Sequence, residues 1–368
     1  MKRIVALTLA LAMALLLAAC SGTPVISPYA PSQETAGTAA GSQTEPSAAP
    51  STNPSGETSS VGAPEVKTGL AIVPSVSASK DAGEEPGLAQ SDITLVAVLV
   101  DDSGVITDCV IDSIQAKISF GADGGILTDL STIFPTKNEL GTEYGMIKAS
   151  GIGKEWNQQM AALAEYAVGK TVEELQGIAL NEKGAPADAD LAASVTVSIG
   201  GTLDAIALAV ENAAPAGAVQ GDTLALGAVT NMASSKAASV EEPGVAQAYA
   251  TVTALTTRNG VITSCIIDAV QCNVNFDISG KITTDLSAPI LTKNQLGDGY
   301  GMAKASSIGK EWYEQAAAFA QYVVGKTAEE VNGIAVNEQG AAADADLAAS
   351  VTLSLGSFQQ VIAKAAGQ

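Results

Sequence analysis

The sequence predicts an α+β fold built from two tandem copies of one small domain, each with an antiparallel sheet packed by helices. The segment ADADLAASVT occurs at 187–196 and returns unchanged at 343–352, and the same offset of 156 residues relates most of 104–200 to the second half. That period is too long for a solenoid repeat, so it indicates tandem globular domains. Within each copy, strand-like segments come first and helical segments follow, which is typical of the α+β class.

The first predicted element of each copy is a β-hairpin. Ile93–Val100 and Val105–Ile111 are rich in β-formers and are separated by the turn residues Asp102-Ser103-Gly104. The matching segments of the second copy are Ala250–Thr256 and Val261–Ile267, around Asn259-Gly260. A third strand-like stretch then places Ile118 and Phe120, or Val274 and Phe276, in alternation.

A long amphipathic helix is predicted next, from about Ile152 to Val168. Its apolar residues recur at steps of three and four through Trp156 and Ala167, so they share one face. We therefore expect Trp156, and Trp312 at the same place in the second copy, to be core residues.

Two shorter helices complete each copy. Thr171 and Glu174 have the spacing of a capping box, and Thr327 and Glu330 repeat it. A last helix is predicted at about Leu203–Val210 and at Phe358–Ala365.

The first 20 residues have the pattern of an export signal. Lys2 and Arg3 precede an apolar run over 4–17, which is shorter than a membrane-spanning helix requires. The following Leu-Ala-Ala-Cys resembles the bacterial lipobox, which implies cleavage before Cys20 and a diacylglycerol on its thiol. The chain would then be held at the membrane through its N-terminal lipid only.

Residues 21–65 are predicted to form a disordered tether. They are rich in Ser, Thr, Pro, Gly and Ala and contain almost no large apolar side chains, so they cannot bury enough surface to fold. The repeat then places two domains at 66–213 and 221–368. A lipid anchor followed by a tether predicts a location on the outer face of the bacterial cytoplasmic membrane, extracellular or periplasmic.

Charge and composition exclude several classes of function. The net charge of −21 would repel a phosphate backbone, so we expect no nucleic-acid partner. The chain contains no histidine, which excludes Ser-His-Asp and Cys-His catalysis and His-ligated haem or zinc. A hydrolase or transferase is therefore a weak third candidate.

Two apparent ligand motifs are incomplete. Gly169-Lys170-Thr171 ends like a P-loop, but Ala164 stands where the first glycine is needed and the segment follows a helix. Asp188 and Asp190 begin like a calcium loop without its later oxygen ligands or turn glycine, which leaves at most a loose calcium site. We predict no resident metal.

After Cys20, three cysteines remain, and none of them forms a metal-binding cluster. Cys109 and Cys265 occupy equivalent positions in strand-like runs, and Cys272 follows nearby. They are expected to be small buried side chains, although an odd number in an exported chain leaves a reactive thiol as the alternative.

The duplicated acidic segment has a structural and a functional interpretation. In the structural one, Ser194 or Thr196 caps the N-terminus of the following helix. That interpretation leaves the fixed aspartate and its spacing unexplained.

The functional interpretation rests on a family resemblance. The segment resembles the attachment motif Asp-x-x-(Ser/Thr)-Gly-Ala-(Thr/Ser) of covalently flavinylated FMN-binding domains, with Ala-Ser-Val in place of the middle residues. The chain is also similar to repeated FMN-binding lipoproteins in Gly-x-Ile-Thr, Thr-Lys-Asn-(Glu/Gln)-Leu-Gly, Tyr-Gly-Met and Ile-Gly-Lys-Glu-Trp. The resemblance covers nearly all of the chain after residue 66.

The resemblance implies two FMN groups, each esterified through its phosphate to a threonine by a flavin transferase. It makes Thr196 and Thr352 the acceptors and assigns Asp190 and Asp346 a supporting role toward the transferase. The remaining expected cofactor-binding residues are Ser194, Ser350, Lys137, Lys293, Tyr144 and Tyr300. A hydroxyl ahead of a helix also suits a phosphate, because the helix N-terminus carries free N–H groups and partial positive charge.

The implied function is electron transfer outside the membrane. The partners would be a flavin transferase, a membrane quinone oxidoreductase or other electron donor, and an extracellular electron acceptor. Such a chain would be an electron carrier more than a turnover enzyme. The alternative is a non-catalytic surface lipoprotein that binds wall polymer, a peptide or a protein, since the tether and the acidic surface suit that role equally well.

Overall fold

The computed structural model describes residues 62–367, which belong to one compact unit. The predicted signal peptide at 1–20, the predicted lipidation site Cys20 and the predicted tether up to residue 61 lie outside the described residues. Within 62–367, no helix has both the length and the apolar character needed to cross a bilayer.

The described chain forms strands and helices in two similar blocks. The strands are β1 Glu65–Ser75, β2 Gly87–Val100, β3 Ile106–Phe120, β4 Ala214–Val219, β5 Thr223–Asn231, β6 Gly244–Arg258 and β7 Val261–Phe276. The helices are α1 Lys137–Leu140, α2 Trp156–Ala167, α3 Val172–Gln176, α4 Ala189–Ala192, α5 Gly200–Glu211, α6 Lys293–Leu296, α7 Trp312–Val323, α8 Ala328–Asn332, α9 Ala345–Ala348 and α10 Gly356–Ala365. We call β1–β3 with α1–α5 the first repeat and β5–β7 with α6–α10 the second.

Two antiparallel sheets confirm the predicted fold class. The first sheet has the strand order β3-β2-β1-β4 and the second has the order β5-β6-β7. The predicted hairpins are β2-β3 and β6-β7, and the tight turn of the latter has positive φ at both Asn259 (52°) and Gly260 (79°). This is the backbone that a two-residue type I′ turn requires.

The structure extends and corrects several predicted elements. The stretch at 118–120, predicted as separate, continues β3 as one long strand. The first strand of each sheet, β1 or β5, was not predicted, and neither was β4, which pairs with β1 between the two predicted domains. The long helix begins at Trp156 instead of Ile152, because 150–153 form a turn held by a hydrogen bond from the Gly153 N–H to the Ser150 carbonyl. The capping boxes at Thr171 and Thr327 are confirmed.

One face of each sheet contributes to a core that the two repeats share. Along β2, the side chains of Leu95 and Leu99 belong to this shared core, while Val96 and Val98 belong to another. The period of two explains the division, because successive side chains of a strand point to opposite faces. Phe120 and Phe276 are fully buried at the centre of the shared core, with stacked rings 4.2 Å apart.

Glycines beside the two phenylalanines make this stacking possible. A Cβ atom at Gly87 would lie 2.3 Å from the Phe120 ring, and one at Gly244 would lie 2.4 Å from the Phe276 ring. The repeats are further joined by a buried hydrogen bond of 2.8 Å between the hydroxyls of Thr68 and Ser264.

The opposite face of each sheet carries the helices of its own repeat. In the first repeat, Val96 packs in one cluster with Leu163 of α2 and Ile206 of α5. In the second, Leu255 packs with Phe319 of α7 and Phe358 of α10. The layers therefore run helices, sheet, sheet, helices, and α2 and α7 lie on outer layers.

Candidate functional site

The predicted acceptor threonines lie in equivalent loops, between a short helix and a long one. Asp188 caps α4, and its carboxylate accepts hydrogen bonds from the N–H groups of Asp190 (3.0 Å) and Leu191 (3.2 Å). The chain then passes the buried Val195 and reaches Thr196, which is exposed; its counterpart Thr352 is half-buried.

The predicted capping of the last helix by Ser194 or Thr196 is wrong. Helix α5 begins at Gly200 after Ile199, and no side chain caps it. The physical reason is that the acidic segment forms its own short helix, α4, which Asp188 caps. Both hydroxyls therefore lie in the link between α4 and α5, and the second repeat has the same arrangement between α9 and α10.

A buried glutamine of the long helix holds each acceptor threonine. The Oε1 atom of Gln159 accepts hydrogen bonds from the Thr196 N–H (2.8 Å), the Thr196 hydroxyl (3.2 Å) and the Val197 N–H (3.3 Å). In the second repeat, Gln315 accepts from the Thr352 N–H (2.8 Å) and hydroxyl (3.1 Å). Both glutamines are fully buried.

The amide nitrogen of each glutamine is also fixed. Gln159 Nε2 donates to the Ser150 hydroxyl and the Lys154 carbonyl, each at 3.2 Å. Gln315 Nε2 donates likewise to Ser306 (3.2 Å) and the Lys310 carbonyl (3.1 Å). Because these acceptors hold Nε2, the amide oxygen Oε1 faces the threonine.

The other predicted residues of this loop lie nearer the surface. Asp190 and Asp346 are exposed in the first turns of α4 and α9. Ser194 is half-buried and accepts a hydrogen bond of 3.3 Å from Lys154 Nζ, and Ser350 is also half-buried. The structure thus places the aspartates on the same loop as the threonines, with their carboxylates open to solvent.

The predicted lysines and tyrosines form aromatic-lysine clusters. In the first repeat, the Nζ atom of Lys137 lies 4.8 Å from the ring centroids of both Tyr144 and Trp156. This separation is within the range of a cation–π contact. The structure therefore brings each predicted lysine and tyrosine together and adds a tryptophan that was expected to be a core residue only.

The cluster of the second repeat is more enclosed. Lys293 Nζ lies 4.5 Å from the Tyr300 ring and 4.9 Å from Trp312, and it donates a 3.1 Å hydrogen bond to the Tyr249 hydroxyl. The residue is 6% exposed. Burial lowers the pKa of Lys293 to about 8, although the nearby Asp268 carboxylate opposes that shift.

A buried aspartate anchors each lysine loop to the sheet. Asp112 Oδ1 accepts from the N–H groups of Ser113 (2.7 Å) and Asn138 (3.0 Å), and Asn138 Nδ2 donates to the Ile111 carbonyl (2.9 Å). Asp268 makes the same contacts with Ala269 and Asn294. Burial raises the pKa of both carboxyls to about 6, against hydrogen bonds that favour the ionised form.

The start of the long helix joins all of these segments. The buried Glu155 carboxylate accepts from the N–H groups of Met146 (2.8 Å) and Ile147 (3.0 Å), which fixes the Tyr-Gly-Met loop. The next residue, Trp156, contacts the lysine, and Gln159 holds the threonine. Residues three apart on a helix share a face. Glu311, Trp312 and Gln315 repeat the arrangement.

The predicted site residues do not line the main cleft of the first repeat. That cleft, of about 510 Å³, lies between β3 and α2. It is lined by Asp108, Cys109, Val110, Ile111, Asn138, Asn157, Ala161, Ala164, Glu165 and Val168. The threonine loop, in contrast, has the same hydrogen bonds in both repeats.

The described cysteines are buried, as expected. Cys109, Cys265 and Cys272 lie in the sheets, and burial raises the pKa of each thiol to about 12. Such groups stay protonated and are poor nucleophiles. Within residues 62–367, no group of three or more His, Cys, Asp or Glu side chains is arranged to hold a metal.

Comparison with known proteins adds one partial relationship. A chlorophenol reductase of Desulfitobacterium hafniense is 36% identical over 95 residues, which is 23% of this chain. The matched part spans 29% of that reductase, less than a third of its length. No family model matches the chain, and no solved structure does so either.

Proposed function

We propose that the chain is a lipid-anchored electron carrier that holds one FMN covalently on Thr196 and another on Thr352. The observation that carries this proposal is a threonine, exposed at Thr196 and half-buried at Thr352, placed four residues before a glycine-initiated helix of 10–12 residues in both repeats. Two copies of one attachment loop suit two cofactors in series.

The surroundings of the hydroxyl suit a phosphate ester. The first turn of a helix has N–H groups without intrahelical acceptors, and these favour an anion. A Cβ at Gly201 would meet no atom within 4 Å, and one at Gly200 would meet only Leu180 Cδ1 at 3.7 Å. The backbone at the start of α5 is therefore open to a bulky group.

The flavin itself would supply the redox chemistry, and the protein would position it and adjust its surroundings. Aromatic side chains and a lysine ammonium suit a flat ring that becomes more negative on reduction. In this proposal the clusters around Lys137 with Tyr144 and Lys293 with Tyr300 serve that purpose. The exposed Asp190 and Asp346 are available to a flavin transferase, as are Ser194 and Ser350 beside the acceptors.

The proposed route of electrons runs from a membrane quinone oxidoreductase or another donor, through the two flavins, to an extracellular acceptor. The N-terminal lipid at Cys20 would keep the carrier on the outer face of the cytoplasmic membrane. The partial relative carries the name of a reductase, and a redox role is the class of function proposed here.

Co-expression with a flavin transferase tests the proposal. Peptide mass spectrometry is expected to find one FMN on Thr196 and one on Thr352, with each lost separately in Thr196→Ala and Thr352→Ala. Thr202→Ala is a matched control, because Thr202 lies within α5 and not in the attachment loop. Absence of FMN from both wild-type peptides would rule the proposal out and favour a non-catalytic binding protein.

A further inference from the structure

We infer that Gln159 and Gln315 are positioning residues that prepare the threonine hydroxyls for covalent attachment. The inference rests on the proposed function and concerns residues that the attachment motif does not contain. Both glutamines belong to the long helices α2 and α7, 37 positions before the threonines that they hold.

Burial of a glutamine amide has an energetic cost. A fully buried amide destabilises a fold unless its polar atoms are hydrogen-bonded. Gln159 meets that requirement with the threonine loop on one side and with Ser150 and Lys154 on the other. An apolar residue would fill an apolar helix face more simply, so the glutamine in both repeats indicates a need for its acceptor oxygen.

The hydrogen bonds to the glutamine also orient the threonine side chain. The Thr196 N–H and hydroxyl both donate to one oxygen atom, which fixes the backbone and the side-chain rotamer together. With its hydrogen directed at the glutamine, the hydroxyl oxygen has its lone pairs directed away from the helix. Thr196 is exposed and Thr352 is half-buried, so a phosphoryl donor can approach each residue from the solvent side. Holding one reactant in a reactive orientation is a recognised source of rate enhancement.

The step in which the glutamine acts is a phosphoryl transfer. The threonine oxygen forms a bond to the flavin-side phosphorus of a flavin phosphoanhydride, the dinucleotide form of the cofactor, bound to the transferase. The phosphoanhydride P–O bond breaks, and the nucleoside monophosphate leaves with the bonding electron pair. As the bond forms, the hydroxyl proton leaves its contact with Gln159 Oε1 and passes to a base of the transferase or to solvent, and nothing is oxidised or reduced. Gln159 retains the two backbone N–H donors after the reaction.

The test compares the two sites of one chain. Gln159→Met removes the acceptor at similar volume, and we expect FMN addition at Thr196 to slow about tenfold or more, as loss of a hydrogen bond in the reactive state implies. Addition at Thr352 stays at the wild-type rate and reports that the chain is folded. Gln159→Glu keeps an acceptor oxygen for the threonine but loses the Nε2 donor to the Lys154 carbonyl, so it is expected to restore only part of the rate. Gln176→Met, on the exposed end of α3, is the matched control.

A second measurement uses the protein without flavin. Hydrogen–deuterium exchange at the Thr196 and Val197 amides is expected to speed up in Gln159→Met and to stay slow at Thr352. If Gln159→Met does not fold, Gln159→Ala replaces it, since the smaller side chain leaves room for water among the polar groups.

The outcomes separate the inference from the proposed function. Wild-type chain that gains no FMN overturns the proposed function, whereas the exchange experiment still reports whether the glutamine holds the loop. Wild-type chain that gains FMN, together with Gln159→Met and Gln159→Ala chains that gain it at the same rate, overturns the positioning role.

Discussion

Lys137 in the first repeat lies half-buried against Tyr144 and Trp156, whereas Lys293 in the second is almost fully buried and also contacts Tyr249. The strand register explains the difference. Asp92 pairs with Gln115 on β2-β3, and Tyr249 pairs with Gln271 at the matching place on β6-β7. The strand position that places a phenol beside Lys293 therefore holds Asp92 in the first repeat, and the Asp92 carboxylate accepts hydrogen bonds from Gln90 and Gln115.

The comparison teaches that duplication has kept the framework of the site and altered its electrostatics. Both repeats retain the anchoring aspartate, the tyrosine, the tryptophan and the glutamine. The phenol of Tyr249 adds a third ring around Lys293, and burial lowers the pKa of that lysine to about 8. Lys293 therefore loses its positive charge at a lower pH than an ordinary lysine.

At the shared core, in contrast, the two repeats are equivalent. Phe120 and Phe276 are both fully buried, and each is accommodated by a glycine. We expect Phe120→Ala and Phe276→Ala each to lower the free energy of unfolding by about 3–5 kcal/mol, because each leaves a cavity in the core. Denaturant titration of the chain measures this change. A Phe120→Ala chain in which only the first repeat unfolds early, with the second unaffected, would contradict a shared core.

The anchoring aspartates predict a matched pair of pH effects. Burial raises the pKa of Asp112 and Asp268 to about 6 from the ordinary value of about 4, so the folded chain binds more protons than the unfolded chain between those values. The protonated carboxyls stabilise the folded chain most below about pH 4, and this stabilisation is lost as pH rises through 6. Over this pH range, each carboxyl lowers the free energy of unfolding by about 3 kcal/mol.

Asp112→Asn and Asp268→Asn test that effect, because asparagine keeps an acceptor oxygen and cannot ionise. We expect each substitution to remove a similar part of the fall in unfolding free energy between pH 4 and pH 6, measured by denaturant titration at each pH. A wild-type chain and an Asp112→Asn chain with parallel pH profiles would show that the folded carboxyl titrates normally.

The smallest predicted effect concerns Tyr249, which occupies the strand position that Asp92 has in the first repeat. Tyr249→Asp removes a ring from the Lys293 cluster and introduces a carboxylate, so the pKa of Lys293 is expected to rise above about 8. A lysine-selective NMR titration measures that pKa. An unchanged Lys293 titration in Tyr249→Asp would mean that the phenol does not control the lysine.

Local patterns were sufficient to predict much of the fold. The β-forming segments around Asp102-Ser103-Gly104 predicted the hairpin, the apolar stripe of α2 predicted the helix, and the repeat predicted two copies. The missed strand β1 contains Gly69 and Pro74, which are unusual in strands. The structure explains Gly69, because a Cβ atom there would lie 2.0 Å from the Ala209 carbonyl oxygen of α5. Gly69 and Ala209 are far apart in the sequence, so local patterns do not reveal this close approach.

The sequence motifs identified residues of the site but did not predict which residues they contact. The threonines, lysines and tyrosines were identified from short segments, yet the glutamines that hold the threonines are 37 positions away. One signal was available: a polar Gln159 lies beside the apolar Met160 and recurs as Gln315. The capping prediction for Ser194 or Thr196 failed because a nearer aspartate caps a helix that was not expected.

The most direct measurement of the central claim is the flavin content of the chain purified from its own host and denatured before analysis. Covalent attachment predicts flavin fluorescence that stays with the denatured chain at two flavins per molecule, falls to one in Thr196→Ala or Thr352→Ala, and disappears in the double variant. A chain that is colourless after purification, or a double variant that keeps its bound flavin, would contradict it.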